Sequence, residues 1–591
     1  MSEYTPPLRD IEFTLRHVAD IDEIMSYPAF SHVDAEIVPG ILAEAGRFMA
    51  EVVAPTLRVG DTEGATFRDG EVTTPDAFHE AWTQYVEAGW NAVDGDVDYG
   101  GHGFPRTVGM AVKEMLVTSN MAFSLNPMLT GSAISLLEQH GSAEQKAQYL
   151  EKLISAEWTG TMVLTESQAG SDLGTVRTKA EPNGDGTYLI DGTKIFITWG
   201  EHDLTDNIIH LVLARLPDAP QGTRGISLFV VPKFVLDDEG SPGEHNAVNC
   251  VSIEHKLGIH GSPTCVMSFD DATGYLVGEP NEGMRLMFTM MNQARIEVGL
   301  EGLAIAERSY QQALEYAKER RQGRAVGGDS NESVAIIDHP DVQRMLMTMK
   351  ASIEAMRALI YDTSAAVDRA MHSPDSETRE AAGNRQALLT PVAKAWCTDL
   401  AVRLTSLGIQ VHGGAGYIEE TGAAQHYRDA RIAPIYEGTN GIQAIDLVMR
   451  KVPMDGGGTV RAFLTEIDAL DGTLGEAGER FHGLRASLRE ALAALTSATE
   501  WLLACEHPKD ALAAATPYLE MFGTVAGGYY LAREALHAAA TAPDPWLEAK
   551  IDTALFYARQ LLPRTGGLLP AVTAGAGQLI ALDRSLLSDA S

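Results

Sequence analysis

Tyr188-Leu189-Ile190-Asp191-Gly192-Thr193-Lys194-Ile195-Phe196-Ile197-Thr198 is the stretch on which the fold class turns. Two apolar, β-branched runs flank Asp191-Gly192, a dipeptide suited to the positive φ angles of a two-residue hairpin. Ile208 to Leu213 and Ile226 to Val231 are further strand-like runs punctuated by Gly and Pro. The spacing predicts an all-β unit over about residues 161–280, set between helical units.

On the N-terminal side, about residues 41–160 read as helical. Ser142-Ala143-Glu144-Gln145 is a capping-box signal, followed at helical spacing by Tyr149, Leu150, Leu153 and Ile154. Residues 1–40 read as an arm. On the C-terminal side, helices return after Glu282-Gly283, with Leu300, Leu303, Ala306, Tyr310, Leu314 and Ala317 in one stripe. Residues 325–340 read as a polar surface loop, and long helices run to about residue 450. Pro453-Met454-Asp455-Gly456-Gly457-Gly458 reads as a linker. Beyond it, Leu484, Leu488, Leu492, Leu495 and Leu502 share a face of a separate helical unit. The expected organisation is an arm (1–40), a helical domain (41–160), a β-domain (161–280), a helical bundle (281–452) and an additional helical domain (453–591).

The 591 residues carry 45 basic and 81 acidic side chains, a formal charge of −36. Such a surface repels phosphate backbones, so nucleic-acid binding is not expected. Cys250, Cys265, Cys397 and Cys505 form no Cys-x-x-Cys and read as reduced core thiols. No secretory leader or membrane span is read, and a cytoplasmic protein is expected. Asp94-Gly95-Asp96-Val97-Asp98 resembles the start of a calcium loop. It fails at its sixth position, Tyr99, and its twelfth, Pro105, so no metal site is expected. No nicotinamide-type Gly-x-Gly-x-x-Gly follows a strand.

Four segments could carry chemistry. Thr165-Glu166-Ser167-Gln168-Ala169-Gly170-Ser171-Asp172 is either an ordinary Gly-Ser turn or backbone open to a phosphate or ring. Phe196-Ile197-Thr198 is either core strand or a wall for a flat ring. Gln410-Val411-His412-Gly413-Gly414-Ala415-Gly416-Tyr417 is either a helix-ending turn or backbone packed on a cofactor. Ile435-Tyr436-Glu437-Gly438-Thr439-Asn440-Gly441-Ile442-Gln443 is the most pointed. Asn440-x-x-Gln443 is a capping-box-like helix start, and Glu437 precedes it among apolar neighbours, where a carboxylate gains proton affinity. Taken alone, Glu437 is equally a surface carboxylate beside a turn.

Together and in this order, these segments resemble the acyl-CoA dehydrogenase family. Tyr99-Gly100-Gly101-His102-Gly103-Phe104-Pro105, Gly141 to Lys146, Gly192 to Thr198 and Ala313 to Arg320 add to the likeness, which covers roughly residues 41–450. The resemblance implies a mainly α fold with a central β-barrel domain: helical domain, barrel, helical bundle, and here an extra C-terminal helical domain. It implies non-covalent FAD between barrel and bundle, and a homodimer or dimer of dimers. Carried over by position, Met162, Leu164, Thr165, Gly170, Ser171, Phe196, Ile197 and Thr198 would contact the flavin. Arg320, Gln322, Gln410, Gly413 and Gly414 would reach the FAD of the neighbouring subunit, with Thr439 and Gly441 near the cofactor. Ser171, Arg295, Tyr436 and Gly438 would meet the acyl-CoA substrate.

The family's base occupies one of two places. Ala294, before Arg295, leaves one vacant, which favours Glu437. The resemblance implies that Glu437 takes the α-proton while a hydride leaves the β-carbon for the flavin. Electrons would then pass to an electron-transferring flavoprotein. The departures are Phe196 where Trp is common, and Arg320-Arg321-Gln322-Gly323-Arg324 without the usual Phe. The segments Tyr4 to Phe13 and Leu257 to Pro263, with the chain length, resemble a long bacterial subgroup. It includes enzymes for a short thioether acyl-CoA and for general fatty acyl-CoA. An acyl-CoA oxidase and a DNA-associated alkylation-response flavoprotein are the alternatives on the same fold.

Overall fold

The computed structural model describes residues 3–327, 332–541 and 544–582. Of the expected loop at 325–340, residues 328–331 lie outside these.

Helices Arg106–Ser119, Met121–His140 and Ala143–Ile154 build the N-terminal layer. The capping box is present: Ser142 Oγ accepts from Gln145 N–H (3.1 Å), and Gln145 Oε1 accepts from Ser142 N–H (3.0 Å). A small hairpin, Thr66–Arg68 with Glu71–Thr73, interrupts the helical run.

Seven strands follow in one sheet. Thr159–Val163 pairs in parallel with Ile208–Ala214, which pairs antiparallel with Ser227–Pro232. The long strand Thr264–Val277 joins Ser227–Pro232 to Tyr188–Thr198, and Lys179–Pro182 follows on the far side. Val248–Ile253 also pairs with Thr264–Val277. The sheet curls back on itself: Ala180 N–H donates to Arg215 O and Arg215 N–H to Thr178 O, each at 2.8 Å. Its interior, around Ile190, Ile197, Phe229, Val231, Met267 and Phe269, is an apolar cluster separate from that of the helices.

The Asp191-Gly192 hairpin is not there. Tyr188–Thr198 is one continuous strand, with Asp191 opposite Asp270 and Gly192 opposite Phe269. A local turn signal loses to a long antiparallel partner that bonds both halves. Gly192 still matters. Its φ is +154°, and a Cβ there would lie 2.6 Å from Thr178 Oγ1, so a side chain would push the edge strand away. Two bulges bend the pair. The register slips between Ile197 and Lys194, where Phe196 has φ +60°, and at Asp271, φ +59°.

The bundle is made of Gly283–Glu319, Pro340–His372 and Ser376–His412. The stripe Leu300, Leu303, Ala306 and Ala317 is buried as its spacing requires. Residues 453–458 form an ordered turn in which Asp455, Gly456 and Gly457 all have positive φ, and Asp455 Oδ1 accepts from Thr459 N–H (3.0 Å). The helices beyond it, Gly458–Glu476 to Arg564–Thr573, share one continuous apolar core with the bundle.

The first forty residues are themselves helical in part, and charge pins them down. On Leu8–His17, Asp10 meets Lys550 (3.0 Å) and Arg357 (3.2 Å), while Thr14 Oγ1 donates to Glu534 (2.8 Å). Arg357 also holds Glu114 (2.8 Å) and Glu307 (3.2 Å), and Lys550 holds Glu354 (3.0 Å) and Glu534 (2.6 Å). Both cations are buried, so the cluster joins the arm, the N-terminal layer, the bundle and the C-terminal helices. No helix among the described residues is long and apolar enough to cross a membrane.

Candidate active site

Glu437 lies on the loop between helices Ala423–Ala430 and Asn440–Asp446. Its φ is +55° and that of Gly438 is +85°. A non-glycine residue in the left-handed region is held there by its surroundings. Two anchors do this. Gln443 Nε2 donates to the carbonyls of Glu437 and Gly438, both at 3.3 Å. Asn440 N–H donates to Pro434 O (3.0 Å).

The expected Asn440 cap is displaced by one residue. Thr439 is the N-cap, its Oγ1 accepting from Ile442 N–H at 3.3 Å. Asn440 instead binds the Ser376–His412 helix. Its Nδ2 donates to Ala395 O (3.1 Å), Thr398 Oγ1 (2.9 Å) and Asp399 Oδ1 (2.8 Å), and its Oδ1 accepts from Lys394 Nζ (2.8 Å). An amide with two donors and a free acceptor is worth more spanning two helices than capping one.

Under the loop sits a buried group of charges. Arg295 is 8% exposed and Lys394 not at all. Part of the Glu437 surface stays open, yet burial of its carboxyl pushes its pKa up to about 6, against the pull of Arg295 and Lys394. Burial also lowers Lys394 to about 7, opposed by Glu437 and Glu301. The Tyr436 hydroxyl donates to Glu301 Oε2 from the residue next to the base. Motif reading missed Glu301, Lys394 and the Asn440 anchor. The available signal was charge where apolar residues dominate: Glu301 beside the buried stripe, and Lys394 within Val392-Ala393-Lys394-Ala395-Trp396-Cys397.

The expected cofactor residues fall into two groups. In the first, Met162 lies on the strand Thr159–Val163 and Leu164 and Thr165 just past its end, where Ile195 N–H of the Phe196 strand donates to Thr165 O at 2.9 Å. Phe196, turned out by its bulge, is 58% exposed, whereas the Ile197 side chain is buried in the barrel core and leaves only its backbone to a ligand. Thr198 is half-buried, and Gly170 and Ser171 stand exposed on the adjoining loop. In the second group, Arg320 and Gln322 lie at the end of Gly283–Glu319, beside the end of Ser376–His412, where Tyr316 stacks on His412 at 4.5 Å. Arg320, Gln322, Gln410, Gly413 and Gly414 are exposed there. No hydrogen bond among the described residues joins the two groups, and none joins Ser171 to the base loop. Gly441 is exposed beside the half-buried Thr439.

These surfaces fit a large flat cofactor. Added Cβ atoms on Gly170, Gly413 and Gly414 would meet nothing within 4 Å, so each glycine borders open space. Phe196 offers an aromatic face next to the polar Thr165 and Thr198.

Family models match nearly the whole chain. Those for the acyl-CoA dehydrogenase N-terminal, middle and C-terminal domains match residues 40–157, 161–272 and 281–452. One described as acetyl-CoA dehydrogenase C-terminal like matches 458–583. The chain is 48% identical to 3-methylmercaptopropionyl-CoA dehydrogenase of Ruegeria pomeroyi, over 95% of this chain and 96% of that one. It is 35% identical to the broad-specificity linear acyl-CoA dehydrogenase FadE5 of Mycobacterium tuberculosis, with the same coverage. In fold it resembles Caenorhabditis elegans ACDH-11, solved with C11-CoA, at a TM-score of 0.75 and 20% identity, covering 100% of this chain and 97% of that one.

Proposed function

The chain belongs to the acyl-CoA dehydrogenase family, and from that premise we propose that it α,β-dehydrogenates 3-methylmercaptopropionyl-CoA to methylthioacryloyl-CoA, with Glu437 as the base. This is a step of bacterial dimethylsulfoniopropionate demethylation. The thioether substrate is supported by the 48% identity to the Ruegeria pomeroyi enzyme over almost the full length of both chains. One observation carries the base: a carboxyl on a loop locked at positive φ, its pKa raised to about 6. It is ionised at neutral pH, yet basic enough to take a weakly acidic proton.

The enzyme is FAD-dependent, and bound FAD supplies the acceptor for the hydride that leaves the β-carbon. The chain's own residues do the rest. Glu437 accepts the α-proton on its carboxylate. Arg295 and Lys394 favour the ionised carboxylate between turnovers, and the burial of its carboxyl raises its basicity. The Glu437 carbonyl accepts from Gln443 Nε2, which anchors the backbone that carries the carboxylate. Met162, Leu164, Thr165, Gly170, Phe196 and Thr198 would seat the cofactor in one subunit, with Arg320, Gln322, Gln410, Gly413 and Gly414 acting from its neighbour in a dimer. The acceptor beyond FAD is read as an electron-transferring flavoprotein.

The 35% identity to a broad-specificity linear acyl-CoA dehydrogenase supports a second reading, straight-chain acyl-CoA. Anaerobic flavin bleaching with 3-methylmercaptopropionyl-CoA and with butyryl- to palmitoyl-CoA separates the two. The thioether should give the highest kcat/KM, and a preference for long chains would overturn the first reading. In Glu437→Gln holoenzyme, bleaching should fall by at least about 10²-fold with FAD retained. Parental bleaching would remove Glu437 as the base.

A further inference from the structure

We propose that Glu301 is a positioning residue for the base: bonded to Tyr436, it holds a proton beneath the loop and sets the charge that Glu437 meets. The inference rests on the reading of Glu437 as the base.

Glu301 is 1% exposed, on the Gly283–Glu319 helix. Its two oxygens are not equivalent. Oε2 accepts from the Tyr436 hydroxyl, whereas Oε1 is buried with no hydrogen-bond partner among the described residues. An ionised carboxylate with one bare oxygen in the interior is expensive, and a proton on that oxygen removes most of the cost.

The facing charges do not supply a closer partner. From the Ser376–His412 helix comes Lys394, whose Nζ bonds Asn440 Oδ1. From the loop come Tyr436 and Glu437. On its own helix Glu297 lies one turn away, engaged by Lys113 at 3.0 Å, and Arg295 stands beside Glu437. Glu301 therefore has cations near it and none bonded to it. Burial pushes its carboxyl up to about 8, with Tyr436 and Lys394 pulling down and Glu437 and Glu297 pushing up.

The consequence for the base follows from charge alone. With Glu301 protonated, Glu437 is the anion that Arg295 and Lys394 stabilise. When Glu301 ionises, a second negative charge appears behind the loop, and Glu437 becomes a stronger base. Lys394 loses its charge near pH 7 and adds to the same trend, so bleaching should rise first with Glu437, then as Lys394 is neutralised, and last, near pH 8, with Glu301.

The test is stopped-flow anaerobic bleaching by saturating 3-methylmercaptopropionyl-CoA, from pH 5.5 to 9, on parent and Glu301→Gln holoenzymes. Gln keeps size and a hydrogen bond but cannot titrate. The parent should rise near pH 6 and again, by roughly threefold, near pH 8. Glu301→Gln should keep the first rise and lose the second. A Glu301→Gln profile that still rises near pH 8 overturns the proposal. Tyr436→Phe provides a second readout. It retains Glu301 but removes its hydrogen-bond donor, so the upper step should move to higher pH, and an unmoved step also overturns it. Failure of the base assignment looks different: Glu437→Gln would bleach at the parental rate, whatever Glu301→Gln does.

Discussion

Replacing Lys394 with Met removes one of the two cations that hold the Glu437 carboxylate ionised. Met fills a fully buried site of similar length, and Asn440 Oδ1 keeps a contact with Thr398 Oγ1 at 3.3 Å. Below its own midpoint of about 7, Lys394 is charged, so its loss is felt in the pH range where Glu437 titrates. A neighbouring cation shifts a carboxylate by roughly one unit, so its loss should carry Glu437 upward by about that much from about 6. The ionised fraction at pH 6 then falls from about a half to about a tenth, roughly a fivefold loss of bleaching rate. At pH 7.5 the same shift costs only about 1.3-fold. The expected signature is a defect that appears in acid and nearly vanishes at mild alkaline pH. Rapid-mixing measurements on FAD-saturated enzyme over pH 5.5–8 would detect it. An acid limb with the parental midpoint, or an equal loss at every pH, would refute the electrostatic account.

Two further predictions concern stability. Burial alone would raise the Glu166 pKa. Lys194 (2.9 Å), Thr178 Oγ1 (2.6 Å) and the Thr178 N–H (3.0 Å) instead hold it at about 2. Its folded pKa lies below the ordinary 4.5, so its contribution is complete above that value and is lost as pH falls through about 2. The depressed carboxyl favours the folded state above pH 4.5, partly offset by the burial that lowers Lys194 to about 8. Acid unfolding followed by tryptophan fluorescence should be less steep in Glu166→Gln between pH 4.5 and 2, and identical slopes would count against the pair. Lys550→Met strips the shared cation from Asp10, Glu354 and Glu534, at about 3–5 kcal/mol. A lower melting temperature and early proteolytic release of the first twenty residues are expected, and an unchanged digest would contradict it.

What could be read from the chain alone was whatever repeats with a period or sits in a short segment. The helix–strand–helix order, the Ser142 cap, the buried stripe from Leu300 to Ala317 and the Glu437 loop are of this kind. The errors came where a distant partner overruled a local preference. Asp191-Gly192 carries a hairpin signal, but Thr264–Val277 bonds both sides of it and keeps the strand continuous. Asn440 has the chemistry of a cap and is drawn instead to a helix some forty residues earlier. Glu301 and Tyr436 stand 135 residues apart, and no local pattern states that a tyrosine beside a base will donate to a glutamate on another helix. The second cofactor patch, Arg320 with Gly413 and Gly414, shows in sequence only through resemblance, because its residues come from two helix ends.

The cluster around Arg357 and Lys550 also bears on the order in which the molecule can be completed. Asp10 and Lys550 are 540 residues apart, and Thr14 and Glu534 are 520 apart. Leu8–His17 is thus among the last helices to gain all its partners, since Glu534 and Lys550 stand on Pro508–Ala540 and Pro545–Gln560, more than 500 residues later in the chain. Until then Arg357, Glu114 and Glu307 can assemble with the bundle, but Asp10 has no Lys550 to meet. Non-local closure of this kind makes the final step slow compared with local helix formation. A chain lacking residues 534–550 would therefore hold Leu8–His17 through Asp10 and Arg357 but without its Glu534 and Lys550 contacts.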